Sequence, residues 1–82
     1  EPGYYKKEKF GIRIENLLYV KKLKGKLSFI NLTLVPIDKD LINFNLLNEK
    51  EKNYLFNYHL NVYLNLSKYL SKKEKKWLAS FI

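Results

Sequence analysis

Apolar and polar positions alternate at the start of residues 12–23 and change to a helical spacing in the second half of the chain. Residues 12–23 read as one strand, rich in branched and aromatic side chains. Strand parity sets Ile12 and Ile14 on one face and Arg13, Glu15 and Leu17 on the other. Lys24-Gly25-Lys26 reads as a short turn, which makes residues 27–37 the second arm of a hairpin. Pro36 ends that arm's ladder or places it at an edge, because proline has no N–H to donate. Upstream, Pro2-Gly3 marks a turn or an irregular strand end. Lys6-Lys7-Glu8-Lys9 is a charged loop, and Gly11 allows a tight return. Residues 38–45 connect the two halves.

Asn48 followed by Glu51 has the spacing of a helix N-cap and its capping-box partner. From there Leu55, Tyr58, His59, Val62, Leu66 and Tyr69 fall on one helical face. Phe56, Leu60, Tyr63, Leu64 and Leu70 widen the apolar surface beyond the ~100° stripe that one neighbour needs. Ser71 and Glu74 repeat the capping signal and predict a second, short helix from about Lys72, with Trp77, Leu78 and Phe81 as cover. Strands come first and helices last, which predicts an α+β fold.

Composition narrows the function classes. The 82 residues make one small domain or part of one, and a chain that begins on Glu1 is expected to belong to a longer protein. No apolar run is long enough to span a membrane, and no membrane partner is expected. The absence of cysteine excludes disulfides and thiolate metal sites and fits a reducing, cytoplasmic compartment. A net charge of +8 invites a nucleic-acid reading, but fifteen of the 16 basic residues are Lys and only Arg13 is Arg. Lysine on solvated faces explains that excess without a nucleic-acid partner.

The candidate chemistry lies in the opening stretch. Arg13 and Glu15 stand two residues apart on one strand face. From spacing alone, the pair is either a half-exposed ion pair worth at most about 1 kcal/mol or a functional carboxylate held by the arginine and completed by a metal. Glu1 has no strand pattern around it.

EPGYY (residues 1–5) and GIRIEN (residues 11–16) together resemble the last metal-binding stretch of aminopeptidase P, the Xaa-Pro aminopeptidases of the pita-bread metallopeptidase fold. The resemblance continues through LSF (27–29), LTLVPID (32–38), Leu41-Ile42, Leu46-Leu47 and Tyr58-His59, and so covers nearly the whole chain. It implies that residues 1–24 are the closing strands of the catalytic domain. Residues 25–82 would be the family's C-terminal extension, with a strand and two helices.

The same resemblance assigns roles. Glu1 matches a glutamate that ligates one of two metal ions and assists proton transfer. Glu15 matches the glutamate that bridges the two metals. Arg13 matches the arginine of that motif, which orients the carboxylates and balances their charge. Two divalent ions are implied, Mn²⁺ first, with Zn²⁺ or Co²⁺ as alternatives, because hard ions prefer carboxylate oxygens. They would hold a hydroxide between them and polarise the scissile carbonyl. The implied substrates are peptides with proline in the second position, and the implied assembly is a homodimer.

The chain departs from the family at Lys6-Lys7-Glu8-Lys9, where members have an acidic, glycine-containing turn, and at Ile30, where they tend to have glutamate. The loop length is kept, so the two glutamates keep their spacing. The family's other ligands, two aspartates and a histidine, lie upstream of EPGYY and must come from the remainder of the catalytic domain. His59 does not replace them; among Tyr58 and Val62 it reads as a packed, hydrogen-bonded residue. Two rivals stand beside this reading. A non-catalytic pita-bread relative could use the fold as a binding module; it need not keep two glutamates in register. A basic nucleic-acid binder would cluster Arg or aromatic residues on one exposed face, which the sequence does not do.

Overall fold

The computed structural model describes residues 3–82, which form two compact units, residues 3–33 and residues 34–82, here taken in turn. The first unit holds two antiparallel hairpins. Strand β1 (Gly3–Lys6) pairs with β2 (Phe10–Arg13), Gly3 facing Arg13 and Lys6 facing Phe10. Strand β3 (Leu18–Leu23) pairs with β4 (Lys26–Asn31), Leu18 facing Asn31 and Leu23 facing Lys26.

The single strand expected over residues 12–23 is therefore two strands, in two different sheets. The interruption falls at residues 14–17. There the Leu17 N–H donates to Thr33 Oγ1 at 2.8 Å, and the Leu17 carbonyl accepts from Leu32 N–H at 2.8 Å. Both backbone groups of Leu17 are thus taken by the end of the second hairpin, and the chain changes partner between Arg13 and Leu18. Alternation ends at Asn16-Leu17-Leu18, but the apolar run that follows still reads as strand, and residue type does not report which strand is the partner.

The turns follow backbone chemistry. Lys24 and Gly25 have φ of 49° and 78° and close a two-residue turn. Positive φ at both positions matches the twist of the flanking strands. The first hairpin turns at residues 7–9, with Glu8 at φ 61° and Lys9 N–H donating to the Lys6 carbonyl at 3.0 Å. Gly11 lies inside β2, not in the turn as expected. A Cβ there would come within 2.7 Å of the Tyr5 ring, so the glycine makes room for an aromatic side chain from the facing strand. Strand β4 stops at Asn31, short of the expected end at 37, and the Asn31 side-chain amide donates to the Thr33 carbonyl at 2.7 Å.

The second unit begins with an extended segment and two short 3₁₀ turns, Lys39–Leu41 and Phe44–Leu46. Asp38 and Asn43 cap them, each side-chain oxygen accepting from the amide two residues on. Helix α1 (Glu49–Leu66) opens on the expected capping box: Glu51 N–H donates to Asn48 Oδ1 at 2.8 Å and Asn48 N–H to Glu51 Oε1 at 2.9 Å. Helix α2 (Lys72–Ala79) repeats it with Ser71 and Glu74. Between the helices, Ser67–Tyr69 tightens into a 3₁₀ turn, which carries Tyr69 off the helical face to an exposed position.

The buried side chains of this unit are Tyr58, His59 and Val62 of α1 and Leu78 of α2. Val62 is fully buried, which contributes about 1.5–3 kcal/mol. Leu78 is the α2 residue that covers, as expected; Trp77 is 63% exposed and stands edge-on to Phe81 at 4.9 Å between ring centroids. A helix of eight residues is too short to persist alone in water, so Leu78 is what keeps α2 in place.

Candidate metal centre

The candidate site is built on the first hairpin. Arg13 is the last residue of β2, and Glu15 stands two positions beyond, in the short passage to β3. The backbone is held on both sides of Glu15: by the β1–β2 ladder up to Arg13, and by Thr33 and Leu32 at Leu17. A carboxylate placed by two anchored flanks loses less freedom on binding a ligand than one at a loop tip.

Arg13 and Glu15 meet as strand parity predicts. Arg13 Nε lies 3.0 Å from Glu15 Oε1, and both side chains are 49% exposed. At that exposure the pair adds at most ~1 kcal/mol to stability. Its value is geometric: the guanidinium fixes one carboxylate oxygen by a charge-assisted contact. Gly3, directly across the ladder, makes room for the arginine. A Cβ on Gly3 would lie 2.9 Å from Arg13 Cγ and 3.0 Å from the Ile12 carbonyl oxygen. The glycine of the EPGYY stretch thus lets the Arg13 stem lie across the facing strand.

Glu1, expected as a metal ligand and proton-transfer group, lies outside the described residues. Among the described residues no three carboxylate, histidine or cysteine side chains converge into a metal-sized cluster. Glu15 is the described member of the expected pair, and it is a half-exposed oxygen donor of the kind hard divalent ions prefer.

His59 is buried in the second unit and accepts a hydrogen bond from Ile37 N–H through Nε2 at 3.0 Å, as expected of a packed histidine and not of a metal ligand. Burial holds its pKa below the ordinary value of 6.5. Beside it, the Tyr58 hydroxyl donates to the Val35 carbonyl at 2.6 Å. Sequence reasoning placed both side chains on the buried face but missed their backbone partners, which lie 22 and 23 residues away. Two adjacent polar-tipped residues on an apolar face were the available signal, since buried polar tips require partners.

Comparisons with known proteins bear on the same residues. A family model for the C-terminal region of peptidase M24 matches residues 25–80. Xaa-Pro aminopeptidase app-1 of Caenorhabditis elegans is 43% identical over 89 aligned positions, covering 96% of this chain and 14% of its own length. The putative Xaa-Pro aminopeptidase FRA1 of Saccharomyces cerevisiae is 43% identical, covering 95% of this chain and 11% of its own. A crystal structure described as the X-prolyl aminopeptidase of C. elegans, a cytosolic enzyme with a di-nuclear active site, superposes with a TM-score of 0.78 at 41% identity. It covers 98% of this chain and 15% of that one. This chain therefore spans roughly a seventh of the length of the first of these relatives.

Proposed function

The chain belongs to the peptidase M24 family, whose C-terminal region it matches in the form carried by the Xaa-Pro aminopeptidases, and from that premise we propose that it closes the metal site of such an enzyme. The full protein would remove an N-terminal residue that precedes proline. Peptide bonds to proline have no amide hydrogen and a constrained ring, so they call for a dedicated site. On this reading residues 1–24 complete the pita-bread catalytic domain and residues 25–82 form its extension, with the β3–β4 hairpin straddling the boundary.

Within the site, Glu15 would bridge two divalent ions, Glu1 would ligate one of them, and Arg13 would hold the Glu15 carboxylate in orientation. The supporting observation is the register of the first hairpin together with the Arg13–Glu15 contact of 3.0 Å. That ladder sets Gly3 directly against Arg13, and directly opposed residues of an antiparallel pair project to the same side. The remaining ligands, two aspartates and a histidine, would come from the rest of the catalytic domain. Bound divalent ions would supply water activation and carbonyl polarisation. Mn²⁺ is the ion proposed, from the all-oxygen character of these two ligands. Homodimer formation and a cytosolic location belong to the same proposal, the latter supported by the description of the solved relative.

The test is Glu15→Gln in the full-length enzyme. The amide keeps the shape and loses the charge that bridging requires. The expected result is one metal lost per chain by elemental analysis, with most of the Xaa-Pro activity. Retention of both metals and full activity would remove Glu15 from the bridging role. A protein that binds metal in neither form but engages peptides would favour the binding-module reading.

A further inference from the structure

The strongest unassigned feature lies in the second unit, where two neighbouring side chains of α1 grip one stretch of backbone. Tyr58 Oη donates to the Val35 carbonyl at 2.6 Å, and His59 Nε2 accepts from Ile37 N–H at 3.0 Å. Between the two gripped groups sits Pro36, which has no N–H of its own. Consecutive residues on a helix diverge by about 100°, so the two side chains reach the extended segment at different points along its length. One donates and the other accepts, and the pair thus satisfies the carbonyl before the proline and the amide after it.

The two halves of this grip differ in one respect. A tyrosine hydroxyl keeps its proton over the whole physiological range. His59 can act as an acceptor only while Nε2 is unprotonated, with the ring proton on Nδ1. Adding a proton at Nε2 turns the imidazole into a donor facing a donor, and the part-buried Ile37 amide is left without its acceptor. We propose that Tyr58 and His59 form a proton-sensitive latch, which holds the Val35-Pro36-Ile37 segment on α1 and releases it on acidification.

The surroundings of the imidazole reinforce that direction. The cleft that His59 lines is also lined by Lys39 from the first 3₁₀ turn and Lys52 from α1, the latter 3.6 Å from Glu49. Its other lining residues, Phe44, Leu55, Phe56, Phe81 and Ile82, have apolar side chains. Burial against this lining disfavours a positive charge on the ring. The folded state therefore binds the His59 proton less readily than an unfolded chain does. Latching is complete above the unfolded value of 6.5, and it weakens as pH falls below that value through the folded pKa.

Hydrogen–deuterium exchange of the full-length protein tests this, read by mass spectrometry on a peptide covering residues 34–41 and corrected for the intrinsic pH dependence of exchange. Between pH 7.5 and 5 the protection of the Ile37 amide should fall about tenfold, the scale of one net hydrogen bond. In His59→Gln the side-chain carbonyl accepts without titrating, so protection should become independent of pH. In Tyr58→Phe protection should drop at all pH values while the pH dependence persists. Protection that is flat in the wild type, or that falls equally in His59→Gln, overturns the latch. Should His59→Gln fail to fold, ¹⁵N chemical shifts of the wild-type imidazole decide. An Nδ1–H tautomer at pH 7.5 with titration below 6.5 supports the latch, and an Nε2–H tautomer or titration at or above 6.5 overturns it.

Discussion

At the scale of single residues, the consequential positions are small or strained. Gly3 leaves the space in which the Arg13 stem lies, and an added Cβ would sit 2.9 Å from Arg13 Cγ. On the proposed reading, Gly3→Ala in the full-length protein should therefore loosen the Arg13–Glu15 contact. Misplacement of a positioning group on the ångström scale costs on the order of ten- to a hundredfold in turnover. Steady-state kinetics would show the loss in kcat, with the melting temperature little changed; an unaltered kcat would mean the arginine does not depend on that space. Lys24 offers the opposite case. It holds φ at 49°, a conformation that costs most L-residues about 1 kcal/mol or more. Lys24→Asn would place Asn-Gly in the turn, the pairing best suited to positive φ at both positions. It should stabilise the protein by about 0.5–1 kcal/mol, measured by denaturant unfolding.

At the scale of elements, each helix depends on its start. Asn48 and Ser71 each accept from the amide three residues on, and each cap is completed by a glutamate. Asn48→Ala and Ser71→Ala should each cost about 1 kcal/mol of stability, read from chemical denaturation. The second cap also carries a pH dependence. Hydrogen bonds from the Ser71 backbone and side chain hold the Glu74 pKa below its ordinary value, more than desolvation raises it. A depressed carboxylate contributes stability that is present above its unfolded pKa of 4.5 and is lost as pH falls through the lower folded value. Glu74→Gln should therefore keep the cap geometry while flattening the stability profile below about pH 4.5. An unchanged acid limb would assign that limb to other groups.

At the scale of the molecule, the second unit buries little and exposes much. Leu78 is buried, while Phe56, Leu60, Leu64 and Trp77 are exposed. The first unit is similarly bare: Leu27 and Phe29 are each 75% exposed. Exposed apolar surfaces of this kind commonly mark places that other protein surface covers. On the proposed reading, deleting residues 71–82 from the full-length protein separates two roles for the terminal helix. Removal of Leu78 takes away cover from the second unit, so the melting temperature should fall. The oligomer seen by sedimentation should stay the same, because the buried side of α2 faces its own chain. Dissociation of a dimer would instead place α2 in the subunit contact.

The sequence by itself determined whatever is local. Capping boxes at Asn48 and Ser71 are readable because both partners lie within four residues. The Lys24-Gly25 turn is readable because its backbone demands are written in its residue types. Arg13 and Glu15 could be set on one face because parity holds over two residues whatever the sheet does next. The family could be read from EPGYY and GIRIEN because side-chain identities at fixed spacing survive without coordinates. Tertiary structure decided the partners. Residues 12–23 read as one run of strand-forming residues, yet they divide between two sheets, because hydrogen bonds at Leu17 go to Thr33 and Leu32 and residue type carries no record of which strand lies alongside. Gly11 looked like a turn and proved to be space for Tyr5, since a missing Cβ serves either purpose and only the facing strand chooses. Tyr58 and His59 were legible as buried, but the carbonyl of Val35 and the amide of Ile37 were not legible as their partners. Burial is a property of one face of one helix; a hydrogen bond across twenty residues is a property of the path the chain takes between them.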